Sequence, residues 1–172
     1  MKKTILLVKS LMLVGVLALS CDNDNGPDCP NALTGELTTT ETAFTGNWTL
    51  KSIVAEEEVD LTDDDVDNPS TDIYAQSSDC FNDLVYNFGT NRTYTLKQGE
   101  NATDCNEIEI NGTWALNSGT LSLVASCSIE SIALDFNDDD TEFSYTTTLR
   151  FKDVNDLIID SDVVFTYEKN IP

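Results

Sequence analysis

The sequence predicts an all-β protein: an eight-stranded, up-and-down antiparallel barrel that follows a signal peptide and a flexible tether. Three observations carry that expectation. From Phe44 onward, apolar residues recur at alternate positions, the mark of strands with one buried face. Most links between these runs are only a few residues long, whereas parallel neighbours need crossovers of about a dozen residues or more. A helical period is nearly absent.

The strands read in order as follows. "FTGNWTLKSIV" opens the first, with Trp48, Leu50 and Val54 on one face. Leu84, Tyr86 and Phe88 share a face, and after "GTN" so do Tyr94 and Leu96. Ile108, Ile110, Gly112, Trp114 and Leu116 alternate with Glu109, Asn111 and Thr113. "NSG" leads to Leu121 and Leu123, with Cys127 on the same inward parity. Ile132, Leu134 and Phe136 form the next run, ending at the turn "NDDD" (137–140). Phe143, Tyr145, Leu149 and Phe151 then alternate with polar residues, and Leu157, Ile159, Val163, Phe165 and Tyr167 complete the set. Closing such a meander into a barrel removes the free edges that invite aggregation.

The chain starts with Lys2 and Lys3 and an apolar stretch, Ile5 to Leu19, broken only by Lys9 and Ser10. A spanning helix needs about 20 apolar residues, so residues 1–20 fit a secretory signal peptide instead. Ala18-Leu19-Ser20-Cys21 resembles a bacterial lipobox, which makes Cys21 the expected site of lipidation. Residues 21–43 then read as an acylated flexible tether and 44–172 as the barrel domain. Acyl chains contribute about 0.8 kcal/mol per buried CH₂ and would hold the domain at a membrane without a spanning helix. The expected location is the cell envelope, lipid-anchored at the outer membrane. The sorting residues leave the membrane and its face open: the acidic stretch with Asp22 and Asp24 resembles a surface-export signal in some Gram-negative groups, and Asp22, first after the cysteine, resembles an inner-membrane retention signal in enteric bacteria.

The formal net charge is −22, and loss of the signal peptide would remove Lys2, Lys3 and Lys9 but no acid. Such a surface argues against nucleic acid and anionic lipid as partners. The chain has no histidine. Ser-His-Asp and Cys-His catalysis, His-based zinc sites and His-ligated haem are therefore removed. Paired carboxylates could still act as acid and base, but no pair stands out among so many acids, and the chain is not expected to be an enzyme.

With Cys21 assigned to lipid, Cys29, Cys80, Cys105 and Cys127 remain. Four cysteines in an exported chain imply two disulfides, with three pairings open. None of their spacings makes a CxxC motif.

The long connection 55–82 carries "AEEEVDLTDDDVDNPSTDIYAQSSDC", with a short helix expected near Ser70 to Ser77. Asp63, Asp65 and Asp67 alternate, and Asp72 follows, a pattern that could supply some of the roughly six to eight oxygens calcium takes. The EF-hand form fails, because Asn68 and Tyr74 stand where its Gly and Glu belong. The plainer reading is a solvated acidic loop. Calcium is the only cofactor the sequence suggests.

Several motifs in a fixed order resemble a known family. They are Gly46-x-Trp48, an acidic loop, Cys80, "YNFGTNRTYTL", Cys105, "GTWALNSGTLSL" and a closing "FTYEK". Together they resemble the lipocalin-like domains of bacterial membrane-anchored lipoproteins, over residues 44–169. The resemblance implies an eight-stranded barrel that binds a small apolar ligand. Trp48, Trp114, Phe143 and Phe165 are its barrel-end and ligand-pocket candidates. Lipocalins also carry an Arg after the last strand that packs across the first-strand Trp. The late cations here are Arg150, Lys152 and Lys169, and none sits clearly in that place. In the resembling domains the pair corresponding to Cys80 and Cys105 is bridged, which leaves Cys29 to Cys127 and would staple the tether to the barrel.

The leading functional expectation is thus a monomeric, membrane-anchored binding module for a small apolar ligand. The alternative is a structural or interaction protein of the envelope without a pocket, with or without a calcium-ordered loop. A glycan-binding β-sandwich is the third reading, for which Tyr74, Phe81 and Tyr86 would have to form an exposed aromatic platform.

Overall fold

The computed structural model describes residues 28–170; the expected signal peptide and Cys21 lie outside the described residues. The elements run α1 (Thr39–Phe44), β1 (Gly46–Val59), β2 (Ser70–Asp72), α2 (Ile73–Gln76), α3 (Asp79–Asn82), β3 (Leu84–Phe88), β4 (Thr93–Gln98), β5 (Ile108–Asn117), β6 (Thr120–Ala125), β7 (Ser128–Ala133), β8 (Asp135–Phe136), β9 (Glu142–Lys152) and β10 (Ile158–Lys169). The sheet order is β7-β6-β5-β4-β3-β1-β10-β9-β8, with β2 added to β1, and the pairings are antiparallel.

The described strands number ten rather than eight. One addition is the three-residue β2, and the other comes from a break at Leu134. Leu134 is buried, and its N–H donates to Gly119 O at 2.7 Å. The chain therefore leaves β6 there and pairs with β9 two residues later, Phe136 opposite Phe143. This crossover nearly closes the barrel at one end and leaves a seam between β7 and β9 toward the other.

β1 carries a bulge. Leu50 pairs with Tyr167 and Ser52 with Thr166, so Lys51 is the extra residue. An extra residue inverts the alternation beyond it. Ile53 and Ala55 point inward, and Val54, expected beside Trp48, is 42% exposed. The inward parity expected of Cys127 is also corrected. It is exposed, in a two-residue turn where Ser126 (φ +48°) and Cys127 (φ +59°) are both left-handed.

One end of the barrel is solid. Thr38 and Glu41 form a reciprocal capping box that starts α1, and α1 delivers Phe44 into the barrel mouth. The Phe44 ring has five aromatic neighbours, Trp48, Phe88, Trp114, Phe136 and Phe143, with centroids 4.7 to 5.9 Å away. Trp48 Nε1 donates to Phe44 O at 2.8 Å, and Trp114 Nε1 to Gly89 O at 3.1 Å. Lys169, at the end of β10, lies across Trp48 with Nζ 5.5 Å from the ring centroid and also donates to Ala43 O.

A buried ion pair fastens α1 from the side. Arg92 Nη1 donates to Glu41 Oε1 at 2.7 Å and Nη2 to Oε2 at 3.0 Å. Leu116 N donates to the same carboxylate at 3.1 Å. The Arg92 guanidinium holds Glu41 at a pKa of about 2, against an ordinary 4.5, despite the opposing effect of burial.

Residues 28–38, expected to belong to the tether, are tied down. Cys29 is bonded to Cys127, and Cys80 to Cys105. From Cys29 the chain follows the outside of β5. Leu33 N donates to Thr113 Oγ1 at 2.8 Å, and Arg92 Nε reaches Gly35 O at 3.0 Å.

Phe44→Ala is expected to cost about 3–5 kcal/mol of unfolding free energy in urea, because it empties the centre of the aromatic plug. Val54→Ala, on the outer face, should stay within about 0.5 kcal/mol. Glu41→Gln should cost about 3–5 kcal/mol, since Arg92 keeps its charge and loses its partner. Because the folded-state pKa of Glu41 is depressed, its contribution is present above pH 4.5 and is lost as pH falls toward about 2. Unfolding free energies measured across that range should fall more steeply for the wild type than for Glu41→Gln.

Candidate functional site

Register identifies what faces the interior above the plug. Leu121 pairs with Ile132 and Leu123 with Glu130. Leu121 and Leu123 are buried, so Ile132 and Glu130 share their inward face. On β9 the inward series is Phe143, Tyr145, Thr147, Leu149 and Phe151, opposite Tyr167, Phe165, Val163, Ser161 and Ile159 on β10. On β5 it continues outward from Trp114 through Gly112 to Ile110 and Ile108, which are 38% and 52% exposed. Their parity is as expected. They are exposed because β6 ends at Ala125 and leaves this part of β5 paired only with β4.

Above Trp48 and Trp114 comes a tier of tyrosines. Phe143 and Tyr167 stack at 5.1 Å, and Tyr145 stacks on Phe165 at 5.3 Å and on Tyr167 at 6.3 Å. Tyr86 meets Tyr167 edge-on at 5.4 Å and Tyr94 at 6.4 Å. Burial pushes all four phenols above their ordinary pKa, and the nearby Glu130 carboxylate adds to this at Tyr86, Tyr94 and Tyr145. The phenols thus stay neutral hydroxyls, able to donate and accept hydrogen bonds.

Two clefts open above this tier. One, of about 490 Å³, lies in the β7–β9 seam between Glu130, Ile132, Tyr145, Thr147, Leu149 and Phe165. The other, of about 290 Å³, lies under α2 and α3 between Ile53, Ile73, Phe81, Leu149, Phe151 and Phe165. Leu149 and Phe165 form a wall common to both. Neither cleft has a lysine or arginine among its described lining residues, and the seam cleft contains the Glu130 carboxylate. An apolar or aromatic tail fits the walls under α2 and α3, whereas the seam cleft sets Tyr145, Leu149 and Phe165 beside Glu130, Asp135 and Thr147. The charge pattern favours a polar end that is neutral or cationic over an anionic one.

The predicted site residues divide between these regions. Trp48, Trp114 and Phe143 belong to the plug, and Trp48 also borders a cleft of about 290 Å³ between α1 and the 137–140 turn. Phe165 lines both clefts. The aromatic platform imagined for a glycan is not formed, because Tyr86 is buried inside the barrel while Phe81 is exposed. Of the acids considered for calcium, Asp72 caps α2, accepting from Ala75 N at 2.9 Å. Asp63, Asp65 and Asp67 are exposed on a loop organised instead by Asp60, which accepts from Thr62 N and Asn68 N at 3.1 and 3.2 Å. Among the described residues no group of three or more His, Cys, Asp or Glu is placed to hold a metal ion.

Sequence reading missed Glu41, Arg92, Glu130 and the role of Lys169. Thr38-x-x-Glu41 is a legible capping box, but nothing local ties Glu41 to Arg92, 51 positions away. Glu130 lies in the polar run "SCSIES", which lacks the alternation that marks a strand.

Over residues 22–170 the chain matches a family described as a domain of unknown function (DUF5004), and it belongs to that family. No curated protein matches the chain.

The arrangement of the acidic loop makes a prediction. Melting curves in calcium and in chelator should coincide, because Asp60 and Asp72 already serve as local caps. A clear rise in melting temperature with calcium would show instead that the cleft of about 310 Å³ lined by Asp60, Asp63, Asp65 and Asp67 takes the ion.

Proposed function

We propose that this member of the DUF5004 family is an envelope lipoprotein, anchored through Cys21, whose lipocalin-like barrel binds a small apolar or amphipathic molecule. The observation that carries the reading is the half-filled interior. One end is packed with aromatic rings and bordered by a cleft beside α1, and the other holds two clefts sharing the Leu149–Phe165 wall. The seam cleft falls within the size range of about 300–1,000 Å³ usual for small-molecule sites. Lys169 across Trp48 supports the lipocalin-like assignment, since it puts a cation where that family keeps an arginine. The bound molecule is neutral or cationic at its polar end, facing Glu130 and the tyrosine hydroxyls. The protein acts as a binding module rather than a catalyst, as a monomer, at the outer membrane and without nucleic-acid partners.

The test is titration of the full chain with the neutral fluorophore N-phenyl-1-naphthylamine. The fluorophore is expected to bind, and a long-chain fatty acid, being anionic, should displace it poorly. Leu149→Arg should weaken binding by more than about tenfold, or about 1.4 kcal/mol, while leaving the melting temperature near that of the wild type. The reading fails if the wild type does not bind the fluorophore, or if Leu149→Arg binds it equally well.

A further inference from the structure

The exposed apolar side chains are not spread evenly. Val54 and Val164 lie on the outer wall, Val66 on the β1–β2 loop, Val154, Leu157 and Ile158 at the β9–β10 hairpin, and Phe81, Ile108, Ile110 and Ile129 at the open end. Gln98 joins part of this last group, pairing with Ile108 while its Nε2 donates to Phe81 O. Ile129 stands two residues from Cys127 and pairs with Val124 on the outer face. The Cys29–Cys127 bridge is at the same rim. The end of the chain nearest the expected anchor thus leaves the barrel beside its open mouth, opposite the aromatic plug.

We infer that this apolar rim faces the lipid surface, so that the cleft opens toward the bilayer. The inference rests on the acyl anchor at Cys21 proposed above. Eight Cα steps separate Cys21 from Cys29, a reach of at most about 29 Å in any conformation. The barrel is comparably tall: the twelve residues of β10, tilted as barrel strands are, span roughly 30 Å along the axis. The plugged end could touch the membrane only if the intervening residues ran fully extended down the barrel wall. Any shorter path keeps the Cys29–Cys127 rim nearer the surface than the plugged end, and the apolar rim residues favour the mouth over the side wall. The bridge sets this polarity, because it moves the exit point from α1 at the plug to the β6–β7 turn at the rim. The rim also carries Asp104, Glu107 and Glu109, so the surface it suits has neutral headgroups. A mouth held there would take a membrane-soluble ligand directly from the lipid.

The experiment uses the lipidated full chain on phosphatidylcholine vesicles with and without brominated acyl chains, which quench nearby tryptophan. Trp48 and Trp114 are buried in the plug and supply an internal baseline. Ile129→Trp places a reporter at the rim, and Asp139→Trp one at the plugged end, both at exposed positions. The rim reporter should lose most of its added emission in brominated vesicles, while the plug reporter and the wild type lose little. Phosphatidylglycerol vesicles should quench the rim reporter less. Equal quenching of both reporters, or none at the rim in protein that floats with the vesicles, overturns the orientation. Protein that does not float and lacks the acyl mass overturns the anchor and this inference together. A lipid-free dimer that already shields the rim reporter would assign the rim to a second copy of the chain instead.

Discussion

The carboxylate of Glu41 accepts from Thr38 N, Leu116 N and both terminal nitrogens of Arg92. Arg92 spends its remaining donors on Gly35 O, Glu36 O and Trp114 O. An arginine has five N–H groups, and all five are used. This satisfaction decides whether such a pair can be buried, since a charge taken from water without full replacement of its bonds costs several kcal/mol. The consequences are structural. A helix of six residues has no stability of its own, yet α1 must hold Phe44 among five rings. The ion pair ties α1 and the leading strap, residues 28–38, to the β3–β4 turn and to β5. Arg92 itself sits at φ +64°, a left-handed conformation kept because its side chain is constrained on every side.

From that fixed end the interior changes character along the axis. Close aromatic packing gives way to a tier of neutral phenols and then to open apolar walls. One alternation of residues produces all three: Trp48, Phe88, Trp114, Phe143 and Tyr167 bring rings to the plug from β1, β3, β5, β9 and β10, while β6 and β7 contribute Leu121, Leu123, Ile132 and Glu130. Where β6 stops, Ile108 and Ile110 keep their inward parity but lose their cover. The chain thus has rigidity at one end and accessible surface at the other. The acidic charge stays mostly outside. There the few ion pairs, such as Arg150 with Asp160, are exposed and screened by water, so they add little to stability.

Much of the fold was legible because a strand with one wet face must alternate, and alternation can be counted. The runs around Tyr86, Trp114, Phe143 and Phe165 fall on strands with the expected residues inward. The errors occur where one residue breaks the count. Lys51 adds a residue to β1 and sends Val54 outward, and Leu134 divides one expected strand between two partners. Neither has a local signature, since a bulge or a crossover is set by the partner strand. Of the candidate pocket residues, Phe165 faces the clefts while Trp48, Trp114 and Phe143 fill the plug. Alternation assigns a residue to the interior without saying how high in it the residue sits.

Composition and periodicity alone led to an all-β chain with a long acidic excursion, a strongly anionic surface and an even number of cysteines beyond Cys21. These are properties of neighbouring residues and of sums, so they need no coordinates. The partnership of Glu41 with Arg92, the inward turn of Glu130 and the seam between β7 and β9 depend on segments that meet only after folding. So does the side of the barrel from which the leading strap departs. Each is a long-range choice made by register and closure, where a shift of one residue exchanges inside for outside.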